Sequence, residues 1–92
     1  MKDRNRSKKK LKIFWDYFSD GLQKRREMNY EGTINAFTKA IEIDPHFSDS
    51  YLKRGIAKFK LEKYADAIDD CNKAIEIREI PKYYLYRGQD SS

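Results

Sequence analysis

The sequence predicts an all-α fold, a short solenoid of antiparallel helix pairs, and three observations predict it. Offsetting the chain by 34 residues makes ten positions between Phe14 and Pro81 coincide, so one structural unit is written twice. Within each unit the apolar residues recur at steps of three and four, the spacing of one helix face. Four Gly and two Pro among 92 residues leave long stretches in which nothing interrupts a helix.

The elements follow in order. Residues 1–13 hold seven Lys/Arg against Asp3, a net of +6, so the rest of a +5 chain sums to −1. Such a charge run reads as a disordered basic arm, and Lys2–Lys12 is also the segment that would meet RNA, a ribosome or another acidic surface. Residues 14–90 then form the folded domain. The first unit spans 14–47 and the second 48–80, and a partial repeat or capping helix covers 81–90. In the second unit Tyr51, Ile56, Phe59 and Leu61 place a helix from about Ser48 to Leu61. Glu62-Lys63 is the turn. Tyr64, Ala67, Ile68, Cys71, Ala74, Ile75 and Ile77 give the second helix one apolar face. Ser48 and Asp44-Pro45 look like cap and stop chemistry, and Pro45 and Pro81 are expected to end the units, because a proline inside a helix lacks the N–H and clashes with the preceding turn.

The repetition is specific. Tyr17 falls on Tyr51, Gly21 on Gly55, Lys24 on Lys58, Tyr30 on Tyr64 and Ile34 on Ile68, and the block Lys39–Ile43 recurs as Lys73–Ile77. Near the end, Tyr84-Leu85-Tyr86-Arg87-Gly88 echoes Tyr51-Leu52-Lys53-Arg54-Gly55 at an offset of 33. From this third copy we expect a helix from Lys82 to about Gln89 lying as a lid over Tyr64–Glu79.

With Tyr17, Gly21, Phe37, Ala40 and Pro45 in one unit and Tyr51, Gly55, Ala67 and Ala74 in the other, the chain from Phe14 to Gly88 resembles the tetratricopeptide repeat family. Gly21 and Gly55 belong where two helices cross closest, and Ala40 and Ala74 allow the same close approach on the partner helix. Several positions depart from the family pattern: Asp20, Lys24 and Thr33 in the first unit, and Arg54, Lys58, Cys71 and Glu79 in the second. Asp20 and Lys24 stand four apart and can pair across one helical turn.

The resemblance implies that the first helix of each pair lines a concave groove. Carried over residue by residue, that groove is Trp15, Phe18, Leu22, Arg25 and Arg26, then Asp49, Leu52, Ile56, Phe59 and Lys60, with Lys82, Leu85 and Gln89 from the third copy. It is apolar with basic ends, and it would take an amphipathic or extended peptide segment carrying acidic residues. The alternative is a groove filled by Leu11–Phe14 folding back, or by a second copy of the chain in a homodimer. A related group of the family clamps the carboxylates of chaperone tails with Lys, Asn and Arg. Those places here hold Phe18, Leu22, Lys53, Lys82 and Tyr86, of which only Lys82 fits.

Catalytic and metal chemistry finds little support in the sequence. His46 is the one histidine and follows Pro45 in a turn with no cysteine near it. Cys71 sits on an apolar stripe and reads as a small core hydrophobe. Asp66, Asp69 and Asp70 read as a solvated outer face, and the glycines are scattered singly, so no phosphate loop exists. We expect no enzyme activity, no cofactor and no metal. A lone cysteine closes no internal disulfide, and the patch Leu11–Trp15 is too short for a signal peptide or membrane span, so a cytoplasmic location is expected. The expected role is a protein-binding scaffold or adaptor.

Overall fold

Four helices carry the two units: α1 (Lys2–Arg26), α2 (Tyr30–Ile43), α3 (Ser48–Lys60) and α4 (Tyr64–Ser91). The computed structural model describes the backbone of residues 2–91 and the side chains of residues 8–78. Among the described residues there is no strand. Each helix packs on the one before it: α2 on α1, α3 on α2, and α4 on α3.

Both pairs turn in the same way. At the end of α1 the N–H of Asn29 donates to the Lys24 carbonyl and that of Met28 to the Arg25 carbonyl, the bonding pattern of a Schellman C-cap. At the end of α3, Lys63 donates to Lys58 and Glu62 to Phe59, the same pattern one period later. The motif requires a left-handed residue, and Met28 (φ 62°) and Glu62 (φ 63°) take that conformation although neither is glycine. Asn29 then caps α2, its side chain accepting from the Gly32 N–H at 3.0 Å.

Element ends differ from the sequence reading at three places. α1 starts at Lys2 and runs through the basic segment read as an arm. Lysine and arginine are good helix formers, and Lys12 pairs with Asp16 one turn on, at 3.4 Å. Leu11–Phe14 therefore continues α1 and does not fold back into a groove. At the start of α3 the capping residue is Phe47, with no side-chain cap bond, in place of Ser48. The Phe47 ring is used in the core, 5.3 Å from Phe14 and 5.4 Å from Phe18. Finally, α4 continues through Pro81 to Ser91. A proline removes one bond of the helical ladder, and α4 bears that loss without ending. The lid contacts expected of 82–90 involve side chains that lie outside the described residues.

The core of the first pair is aromatic. Phe14, Phe18, Phe37 and Ala40 are buried together, with Leu22, Ile43 and Phe47 packed around them. Phe18 and Phe37 meet edge to face at 5.1 Å. Gly21 and Gly55 are the close crossings that the repeat pattern predicts. A Cβ on Gly21 would lie 2.7–2.9 Å from three Phe37 ring carbons, and one on Gly55 would lie 3.1 Å from the Ala67 carbonyl oxygen. The atoms nearest these glycines come from Phe37, Ala67, Asp70 and Cys71.

Candidate protein-interaction face

Comparing the two units position by position locates the open surface. In the first unit, α3 covers the face made by α1 and α2: Phe37 and Thr33 are 0% exposed, Phe18 is buried, and Ile34 and Ile41 are half-buried. On α3 itself Ser50 and Ala57 are buried against that face, and Arg54 Nη1 donates to Thr38 Oγ1 at 3.2 Å. Among the described residues nothing covers the same face of the second unit. There Ile68 and Ile75, the equivalents of Ile34 and Ile41, are 59% and 55% exposed, and Phe59 is 58% exposed.

Two clefts score this face between α3 and α4. One, of about 410 Å³, is lined by Ile56, Phe59, Ala67, Ile68, Cys71 and Asn72 together with Gly55. The other, of about 90 Å³, lies between Leu52 and Ser48 on α3 and Ala74, Ile75 and Arg78 on α4. Cys71 lines both, so it is a half-buried cleft residue and not the sealed core hydrophobe the sequence suggests. It stands where the first unit has Phe37, and the smaller side chain leaves room in the cleft.

An ion-pair network stiffens the back of the face. Asp70 accepts from Arg54 Nη2 at 2.7 Å and Nε at 2.8 Å, a bidentate pair, and Lys58 Nζ lies 3.1 Å away. Asp70 is only 5% exposed, so the reading of Asp66, Asp69 and Asp70 as one solvated face is corrected for this residue. The hydrogen bond to Asp70 raises the Arg54 pKa above its usual value, against the opposing effect of burial. Arg54 and Lys58, which depart from the family pattern, are thereby explained: they neutralise a buried carboxylate. Asp20 and Lys24, their counterparts, pair with each other at 3.1 Å, because Ala36 stands where Asp70 would.

The residues read as one groove divide into groups. Leu52, Ile56 and Phe59 line the α3/α4 clefts, and Lys60 is exposed beside them. Phe18 and Leu22 are spent on the core, Phe18 wholly, so they are packing residues. Trp15 is half-exposed, with its ring against Phe14, Phe18 and Phe47. Arg25 and Arg26 are exposed in the last turn of α1. Asp49 is engaged by Arg78 at 3.2 Å. Lys82, Leu85 and Gln89 have side chains outside the described residues. The sequence reading missed the α4 wall, Ile68, Cys71 and Ile75, by assigning those residues to the internal stripe. The signal was present: they are the residues whose first-unit counterparts α3 covers. Among the described residues no cluster of His, Cys, Asp and Glu could hold a metal ion, and no helix is long and apolar enough to cross a membrane.

Residues 48–79 match the family model of the tetratricopeptide repeat. Residues 48–79 are a tetratricopeptide repeat. The chain is 43% identical over 52 residues to the human small glutamine-rich tetratricopeptide repeat-containing protein beta, a match covering 56% of this chain and 17% of that protein. It is 36% identical over 75 residues to the human DnaJ homolog subfamily C member 7, covering 76% of this chain and 15% of that protein. These matches span under a fifth of either relative's length. Among solved structures, the TPR2B domain of yeast Sti1, in its complex with pHsp70, superposes with a TM-score of 0.70 at 29% identity. That match covers 71% of this chain and 52% of the other.

Proposed function

We propose that this repeat domain is a non-catalytic protein-interaction module that takes an amphipathic helical segment of another polypeptide on its α3/α4 face. The observation that carries this is the difference between the two units. The same apolar face is covered by a helix in the first and left open in the second, where Ile68 and Ile75 are exposed and their counterparts Ile34 and Ile41 are half-buried. Burying such a strip stabilises a complex by about 25 cal/mol per Å² of apolar area, before the ordering costs of association. Lys60 beside the cleft, with Arg25 and Arg26 at the end of α1, favours acidic residues flanking the ligand's apolar anchors. The relatives support a binding role, since the yeast domain was solved in a complex. No pHsp70 ligand is carried over from it. A carboxylate clamp would need Lys and Asn where this chain has Phe18 and Leu22, both packed into the core.

The test is calorimetric titration with a synthetic amphipathic helix bearing leucines at three- and four-residue steps and glutamates on its flanks. Binding should fall at least tenfold in Leu52→Asp and Phe59→Asp and hold in Tyr17→Ala. Equal binding by all variants would reject the α3/α4 face as the site.

A further inference from the structure

We propose that two copies of this chain exchange C-terminal segments, residues 82–91 of each lying along the α3/α4 face of the other. The inference rests on the reading that this face takes a helix, and it names the helix.

The covering helix should carry the features with which α3 covers the first unit. Residues 84–88 keep four of the five residues Tyr51–Gly55, namely Tyr, Leu, Arg and Gly. The corresponding stretch of α1, Tyr17–Gly21, keeps two, Tyr and Gly, and puts Asp20 in the place of Arg54. The exchanged segment is therefore preferred over head-to-tail stacking of a second copy's α1. The polar residue types recur as well. Arg54 donates to Thr38 across the α2/α3 interface at 3.2 Å. By repeat position Asn72 corresponds to Thr38 and Arg87 to Arg54, so the sequence again offers an acceptor on one side and a guanidinium on the other. Tyr83 takes the place of Ser50, and the opposing wall changes in the other direction, Cys71 for Phe37.

The backbone decides between one chain and two. α4 is continuous from Tyr64 to Ser91. At about 1.5 Å per residue, Arg87 lies roughly 22 Å along the helix axis from Asn72 of the same chain. A segment carried out along α4 does not lie on its own α3/α4 face. It can lie on that of a second copy, and a two-fold arrangement satisfies both faces at once and closes the assembly.

The experiment combines light scattering with site-specific cross-linking of the full chain. Cys71 is the only native cysteine, so Cys71→Ala gives a thiol-free background. Asn72→Cys and Arg87→Cys are made separately in it, mixed, and treated with a short bismaleimide. Exchange predicts a product of twice the 11.0 kDa chain mass holding one copy of each variant, and a light-scattering mass of the same size. Leu85→Asp should lower both signals while leaving the helical circular dichroism unchanged. A monomeric mass overturns the proposal, and so does a doubly substituted chain that links only within itself. If the cross-link fails while the synthetic amphipathic helix still binds and Leu52→Asp still weakens it, the exchange is wrong and the interaction reading stands. If the cross-link forms and that helix never binds, the face serves self-association alone.

Discussion

Asp70 on α4 holds Arg54 on α3 through two hydrogen bonds, at 2.7 and 2.8 Å, in a setting where the carboxylate side chain is 7% exposed. Lys58 adds a second cation at 3.1 Å. The three charges join the helices of the second pair where the first pair uses a ring, Phe37, against Gly21.

Replacing Asp70 should therefore cost more than a surface ion pair would. Removing one partner of a buried pair leaves the other charge without compensation. Asp70→Ala strands two cations that are each 17% exposed, and it is expected to destabilise the fold by on the order of 3 kcal/mol. Asp20→Ala, which breaks only a partly exposed pair within α1, should cost under about 1 kcal/mol. Urea unfolding followed by circular dichroism measures both. Equal losses would mean that the Asp70 network is no stronger than a surface pair.

This contrast shows what the sequence made legible. The helix pairs, the period and the crossings at Gly21 and Gly55 follow from local pattern, because helix packing repeats whatever the repeat repeats. The burial of Asp70 does not, since it depends on a partner 16 residues earlier on another helix. Read along α4 alone, Asp70 looks the same as Asp66 and Asp69. Phe18 and Leu22 were similarly placed in a groove by family position. Phe18 is a core residue, with the rings of Phe37 and Phe47 against it, and Leu22 packs against the same cluster. Pro81 signalled a stop, yet the backbone runs through it.

The two glycine crossings should respond differently to alanine. In either helix the change gains about 1 kcal/mol of helix propensity. At Gly21 the new Cβ meets ring carbons of Phe37 at 2.7–2.9 Å, and Phe37 is fully enclosed and held edge to face by Phe18. The overpacking, about 1–3 kcal/mol, exceeds the gain, so Gly21→Ala should lower the unfolding midpoint. At Gly55 the nearest atoms stand at 3.1–3.2 Å beside an open cleft, and a small shift accommodates the methyl. Gly55→Ala should fall within about 0.5 kcal/mol of the parent, whereas the longer Gly55→Leu should be strongly destabilising. The reverse order of the two alanine variants would show that the crossing distances do not set the cost.

Ser50 offers a gain. It is fully buried against α2, and its hydroxyl has no hydrogen-bond partner. An unmade bond of this kind costs about 1–3 kcal/mol, and alanine removes the group while leaving almost the same volume. Ser50→Ala should stabilise the domain by about 1 kcal/mol, read as a higher midpoint at unchanged denaturant slope. A loss of stability would show that the hydroxyl is satisfied in solution.

The paired turns give the last prediction, because they provide an internal control. Met28 and Glu62 occupy equivalent places, one period apart, and share the left-handed conformation at φ 62° and 63°. For an L-residue with a Cβ that conformation costs about 1–2 kcal/mol, part of which glycine returns through its greater freedom in the unfolded chain. Met28→Gly and Glu62→Gly should each stabilise by about 0.5–1 kcal/mol, and because the two turns lie in different helix pairs with no shared partner the double variant should show the sum. Met28 is 73% exposed, so the substitution removes little packing, and Glu62 is exposed as well. Agreement between the two sites would assign the effect to backbone conformation, which they share. A gain at one site alone would assign it to side-chain surroundings, which they do not share.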